Sequence, residues 1–448
     1  MLSAFANSFK IPELRTRILF TLGMIFLCRL VSSVPAPGVD PVELQNLIAR
    51  LESQAGGAFL GWLDLFSGGG LQKCAVGGLG IMPYISASII LQMMTAVIPA
   101  LERLAREGDP GRQKLTQYTR YLTLVICVIQ GLFLAKSLEH PGFLGISGQI
   151  VLNPGIPFEL MTILTMTTGT MLLMWFGEQM TERGIGNGVS MVITISIVSR
   201  ILPAFWTAKQ MFTKVEGVSQ FTIFHLIGLL LMLLAVTAGT IMLTQGQRKI
   251  PIHTTKRVIG RKVYGGQNTY MPLRVNYSGV MPIIFGSALL QFTGVILRLI
   301  PIEFCHTIGN ALNMNTFFYM IVYGILLLFF SYFWVATQFN PIQIADDLKK
   351  NGGYVPGIRP GRPTAEFLDK TMTRITLMGA LFLTVIAVIP SVLFNQFGIP
   401  WNVAGFLGGT SQLIVVGVAL DTLRQVESHL LERHYDGFLR KGRLRGRR

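Results

Sequence analysis

The sequence predicts an all-α polytopic membrane protein: ten transmembrane helices in two inverted five-helix halves, with a short movable element ahead of the second helix. Three observations carry this. The 448 residues are 51% hydrophobic and only 13% charged, with a mean hydropathy of +0.53, the balance of a multi-pass membrane chain rather than a soluble one. Gly80-Ile81-Met82-Pro83-Tyr84-Ile85 returns as Gly279-Val280-Met281-Pro282-Ile283-Ile284. Basic residues gather in alternate loops.

Apolar runs place the spans at about 18–35, 76–98, 121–138, 159–177, 188–203, 221–244, 275–300, 316–339, 375–395 and 409–421. The first and last are the weakest. Arg29 interrupts the first near its outer end, where its side chain is expected to snorkel to the interface, and the tenth is short if Asp421 lies outside. On the amino-terminal side and in the alternate loops stand 30 of the 38 Lys and Arg residues. The positive-inside rule then puts both termini in the cytoplasm, which requires an even number of spans. No cleavable signal is expected, because Lys10, Arg15 and Arg17 lead into a span without a small-residue cleavage site.

The loop before the second span ends in the turn Leu65-Phe66-Ser67 followed by Gly68, Gly69 and Gly70, with further glycines at 77, 78 and 80. Such a turn is easily displaced. Pro83 then opens the second span, where proline is tolerated at a helix start. The repeat of that start five spans later means that the two copies cross in opposite directions, the mark of an inverted repeat with function where the halves meet. Ile85 and Ile284 each lie roughly 12 to 15 Å into their spans, about halfway across a hydrocarbon core of roughly 30 Å. Two readings fit them: a shared constriction, or residues that face lipid or simply pack.

Two inner loops stand out. Residues 246–274 hold seven basic residues and no acidic one, with an alternation over Arg257 to Tyr264 that fits a hairpin; residues 341–374 are stiffened by Pro356, Pro360 and Pro363. A solvated positive-inside loop accounts for such charge, whereas stiff loops reaching beyond the membrane suit docking surfaces. The basic end of the chain, GRLRGRR, is expected to be disordered along anionic lipid or a ribosome-like polyanion.

Motifs for catalysis are missing: no Walker A sequence, HExxH, nucleophile elbow or zinc-type cysteine pair is present, so neither enzyme activity, cofactor nor metal is expected. Cys28, Cys74, Cys127 and Cys305 show no disulfide framework. Span centres contain no Asp or Glu, which counts against a proton- or sodium-coupled solute transporter, the nearest rival; a non-conducting scaffold is the third reading. Ser86, Ser88 and Gln92 on the second span, Gln130 on the third and Asn276 at the start of the seventh are candidates for hydrogen bonds between helices, each worth about 1 kcal/mol, which suits an interface that parts and recloses. Ordinary interhelical packing accounts for them equally well.

Five motifs in order along the chain, GGLGIMPYISASIILQ, Gln117 to Tyr121, Gly177 to Ser190 (GEQMTERGIGNGVS), Gly352 to Gly361 (GGYVPGIRPG) and Gly408 to Val416 (GGTSQLIVV), closely resemble the SecY family of bacterial protein-conducting channels. The resemblance implies two halves, 1–220 and 221–431, and a basic cytoplasmic tail, 432–448. They open toward lipid through a lateral gate between spans two and three on one side and seven and eight on the other, with Ser86, Gln92, Gln130 and Asn276 as its polar residues. It implies a pore ring of Ile81, Ile85, Val189, Ile193, Ile284 and Ile414, and a short plug helix over Leu65, Phe66, Ser67, Gly68, Gly69, Gly70 and Leu71. Val189 is smaller than the isoleucine common in relatives. It further implies docking through Arg257, Arg261 and Lys262 of the basic loop and through Arg359. The implied partners are SecE and SecG, the SecA motor, the ribosome, unfolded precursors with their signal sequences, and membrane lipid, with no specific DNA. The implied location is the bacterial inner membrane. A ring of aliphatic side chains is narrow and dewetting, resists ions, and deforms around an extended polypeptide; polar segments cross and apolar ones leave into lipid.

Overall fold

The computed structural model describes residues 11–40, 43–44, 64, 66–139, 151, 153–212, 223–254, 257–259, 262–264, 268–299, 302–312 and 316–441. Leu65, Arg261 and the GRLRGRR end lie outside these residues. Helices dominate, and each predicted span window coincides with one: α1 (Pro12–Val31), α2 (Met82–Val97), α4 (Asp109–Glu139), α5 (Ile156–Arg183), α6 (Gly188–Ser199), α8 (Ile223–Gln245), α9 (Met281–Leu299), α11 (Phe317–Gln338), α13 (Arg362–Phe397) and α15 (Gly409–Lys441). Shorter helices join them: α3 (Pro99–Arg106), α7 (Ile201–Phe212), α10 (Glu303–Ala311), α12 (Pro341–Lys350) and α14 (Trp401–Leu407). Among the described residues six helices are long and apolar enough to cross a membrane, or seven with the bent pair Met82–Thr95 and Pro99–Arg106.

Helix boundaries follow local chemistry. Pro12 and Pro83 sit in first turns, where a missing N–H removes no helical bond. Ile98, ahead of Pro99, is extended and ends α2, because the following ring crowds the helical conformation. Asn187 and Asn340 cap α6 and α12 by accepting the N–H groups of Ser190 and Gln343, both at 3.2 Å.

The expectation of an all-α chain needs one correction. Between α8 and α9 the chain forms β1 (Gln247–Thr254), β2 (Arg257–Ile259), β3 (Lys262–Tyr264) and β4 (Asn268–Arg274). The expected hairpin is β2 against β3, pairing Arg257 with Tyr264. Below it, β1 runs antiparallel to β4 from Gln247↔Arg274 to His253↔Asn268, and β5 (Gly353–Tyr354) adds a short third strand at His253 and Thr254. Alternation decides this structure: Ile250 and Ile252 are buried, whereas Arg248 and Lys249 face solvent.

The chain divides into two compact units. One comprises Met1–Gln220, Trp401–Phe406 and Ile414–Arg448, the other Phe221–Pro400 and Leu407–Leu413. In the first, α4 packs against α5 and α2, and α1 packs against α5 and α6. Its cores gather Ala36, Leu44, Cys74, Leu138, Val151, Phe158 and Met166 in one place and Leu14, Ile185 and Val426 in another. In the second unit α11 packs between α9 and α13, with Phe285 and Phe330 edge to face at 4.6 Å. There the sheet lies on the helices through Ile250, Leu273, Val335, Phe339, Val355, Leu368 and Met372.

Candidate functional site, a seated glycine turn

The first unit holds a dense polar arrangement around the turn that the sequence marks as movable. Phe66 and Ser67 end a helical turn, and Gly68 to Gly70 carry the chain around. Phe66 is 3% exposed and Ser67 2%. Asp64 is buried, and its Oδ1 accepts the Ser67 hydroxyl at 2.9 Å and the Gln72 N–H at 3.3 Å. The Leu71 N–H closes the turn on the Ser67 hydroxyl oxygen at 3.1 Å.

Two arginines reach this turn from helices. Arg29 on α1 donates through both terminal nitrogens to the Gly68 carbonyl, at 3.2 and 3.1 Å, so it serves the turn instead of snorkelling. Arg200, just past α6, is ion-paired with the second carboxylate oxygen of Asp64 and donates to Gln72 Oε1 at 3.1 Å. Ser199 adds a longer bond to the Gly68 carbonyl at 3.4 Å. Gly68 has φ +65°, and a Cβ there would stand 2.9 Å from the Ser196 Cα on α6, so both conformation and space require glycine.

Of the ring candidates of this unit, Ile81 borders the turn. Gly80 lies against it, since a Cβ at that position would be 3.2 Å from both the Phe66 carbonyl oxygen and the Ser67 Cα, and Ile81 follows directly. Ile81 is fully buried and Ile85 is 4% exposed on α2; Ile193, 6% exposed, stands one turn before Ile197 on α6. Val189 is half-buried, its Cγ2 over Gly177 of α5. Ile414 is buried in its own part of the chain, and so is Ile284 at the start of α9 in the second unit. Neither Ile85 nor Ile284 is presented to the outside of its unit, as either a constriction or a packing role requires.

The polar candidates divide. Ser86 and Gln130 are partly buried and Gln92 is exposed. Asn276 spends its described hydrogen bonds locally, donating to the Gly279 carbonyl at 3.1 Å and accepting the Ser278 hydroxyl at 3.3 Å. Between α4 and α5, Arg120 and Glu178 form a two-pronged pair at 3.0 and 2.7 Å, joining two of the quoted motifs. In the second unit Arg359 is exposed beyond β5, while Arg257 and Lys262 occupy the hairpin strands. Among the described residues no cluster of His, Cys, Asp and Glu could hold a metal ion, and the four cysteines are free.

Sequence reasoning missed Asp64, Gln72, Ser199 and Arg200. The available signal was a charge at each end of the arrangement: arginines at the edge of apolar segments are costly unless something nearby holds them.

Six or seven helices long and apolar enough to cross a bilayer make this a multi-pass helical membrane protein. The SecY family profile matches residues 76–423. The chain is 44% identical to protein translocase subunit SecY of Streptomyces griseus, with 98% of this chain and all of that one aligned, and 42% identical to that of Mycobacterium bovis over the same shares. Among solved structures, a protein-conducting channel superposes with a TM-score of 0.57 at 18% identity, covering 92% of this chain and 91% of the other. A SecY structure concerned with the plug domain, said to stabilise the closed state of that channel, gives 0.59 at 18%, and Sec61 from a canine ribosome-channel complex gives 0.57 at 16%, with the same coverage. The chain belongs to the SecY family, a family of translocation channel subunits rather than of enzymes.

Proposed function

We propose that this chain forms the pore through which unfolded secretory polypeptides cross the bacterial inner membrane, and that it releases apolar segments sideways into lipid. Ten spans in two inverted halves, 1–220 and 221–431, with both termini in the cytoplasm, surround a ring of Ile81, Ile85, Val189, Ile193, Ile284 and Ile414. The turn at 65–71 is the plug. Carrying the reading is the seating of Phe66 to Gly68 against Gly80 and Ser196, which brings the glycine turn beside two of the helices that supply ring residues. Dewetting by aliphatic side chains keeps ions out, and their deformability admits any extended sequence.

Spans two and three would part from seven and eight beside Ser86, Gln92, Gln130 and Asn276 to admit an apolar segment to lipid. No nucleotide-binding motif is present, so the driving energy comes from a partner: the SecA motor or a translating ribosome, docking on the sheet around Arg257, Arg261 and Lys262 and on Arg359, with SecE and SecG as companion subunits. Exposure of Arg248, Lys249 and Arg359 supports the docking face.

A stalled precursor carrying a photocrosslinker tests the pore. Labelling of Ile85, Ile284 and Ile414 is expected, and labelling confined to the outer surface refutes the reading. Arg359→Glu is expected to slow translocation while the channel still inserts; normal export in that variant would remove the docking assignment.

A further inference from the structure

Asp64 is the only buried acidic side chain among the described residues, and its ion-pair partner lies 136 residues along the chain at the end of another helix. We infer that Asp64, Arg200 and Arg29 form an electrostatic latch that fastens the glycine turn in its seat and sets the threshold for opening. The inference rests on the reading of the turn as a plug, and it adds what holds the plug and how it lets go.

The anchors are distributed so that the turn is gripped along its length. Arg200 takes hold of Asp64 at one end and Gln72 at the other, while Arg29 and Ser199 converge on the Gly68 carbonyl in the middle. The same carboxylate accepts from Ser67 and from the Gln72 N–H, so the turn's own folding depends on the oxygen pair that Arg200 holds. Apolar contacts alone would let the turn slide by degrees. A buried charge pair behaves differently, because a partly separated pair is left without either partner or water, so seated and released states are favoured over intermediates. Both arginines come from helices of the same unit as the turn, so the latch is complete within that unit.

Ion leak from proteoliposomes holding the full chain with its companion subunits tests this. Asp64→Asn and Arg200→Gln are each expected to raise leak through the idle channel by at least about tenfold, because each leaves a buried group without its charged partner. The double variant should exceed the larger single effect only slightly, as two halves of one interaction do. Arg200→Lys, which keeps the charge but loses the fork to Gln72, should fall between. Deleting residues 66–71 is the control for the plug itself. If the deletion leaks and the single variants do not, the latch is wrong and the plug stands; if the deletion does not leak, the plug reading itself fails. A measurement on the unaltered protein covers the case in which a variant does not accumulate. The amides of Leu71 and Gln72, bonded to Ser67 and Asp64, should exchange with deuterium slowly in the idle channel and markedly faster once a precursor is stalled in it; equal exchange overturns the latch.

Discussion

The two helix starts marked by the repeated motif share a backbone and differ in what supports it. Gly80 and Gly279 have φ of +61° and +63°, each followed by a residue whose carbonyl accepts the first helical N–H: Ile85 to Ile81 at 3.1 Å, and Ile284 to Val280 at 3.2 Å. Proline sits in the first turn of each. Yet the surroundings diverge. Gly80 is pressed by Phe66 and Ser67, whereas a Cβ at Gly279 would meet nothing within 4 Å. Asn276 and Ser278 instead hold the second turn with their own side chains. One start is braced from outside by the seated turn and the other from within, so only the first can report whether that turn is in place.

The glycines give the largest expected difference. Gly279→Ala should cost about 1–2 kcal/mol, the penalty of a left-handed residue with a Cβ. Gly80→Ala adds crowding against Phe66 and Ser67 and should cost about 2–4 kcal/mol, read as the difference in thermal unfolding midpoints of the purified proteins. Equal losses would erase the contrast. Next, Asn276→Ala should destabilise by about 1 kcal/mol through two lost hydrogen bonds to its own turn. Smaller still, Pro83→Ala and Pro282→Ala should each cost about 0.4–1 kcal/mol by loosening the unfolded chain, and equally, since neither ring replaces a helical bond; a large asymmetry would mean that one proline makes a tertiary contact.

Smallest near neutral pH, though growing above it, is a pH dependence just ahead of the first start. Burial pushes the Cys74 thiol up to about 12. An unfolded thiol ionises near pH 8.5, so the folded state holds its proton over a window in which the unfolded state loses it, and Cys74 makes stability decline from about pH 8.5 upward. Mutation to Ser should flatten that decline. In the folded protein, maleimide should label Cys74 slowly even at pH 9, and faster labelling once residues 66–71 are removed would tie its burial to the seated turn.

Much of this architecture was legible because long apolar runs have few alternatives: each predicted window found a helix, and the β2–β3 hairpin followed from alternation over eight residues. The larger sheet was not legible. Its strands carry Pro251 and Pro272, which argue against a ladder, and β5 comes from about 80 residues downstream. Pro251 is tolerated because β5 covers β1 only at His253 and Thr254, leaving an open edge beside it. The repeated motif marked the two matching helix starts that carry Ile85 and Ile284, and the glycines marked the turn. Its anchors stayed hidden, because pairing of Asp64 with Arg200 is a product of folding that neither residue's neighbours announce. Arg29 was misjudged for a related reason: near a span end, an interface and a carbonyl are equally good homes for a guanidinium until the carbonyl's position is known.

The Val275 N–H donates to the Gly246 carbonyl at 2.9 Å, so the ladder from Gln247↔Arg274 begins where α8 ends and closes just ahead of the start of α9. Only Gly246 separates α8 from β1, and a turn of six residues, 275–280, leads from β4 to α9. A pull on the strands would therefore act directly on the end of α8, and would come to the start of α9 through the turn that Asn276 and Ser278 hold.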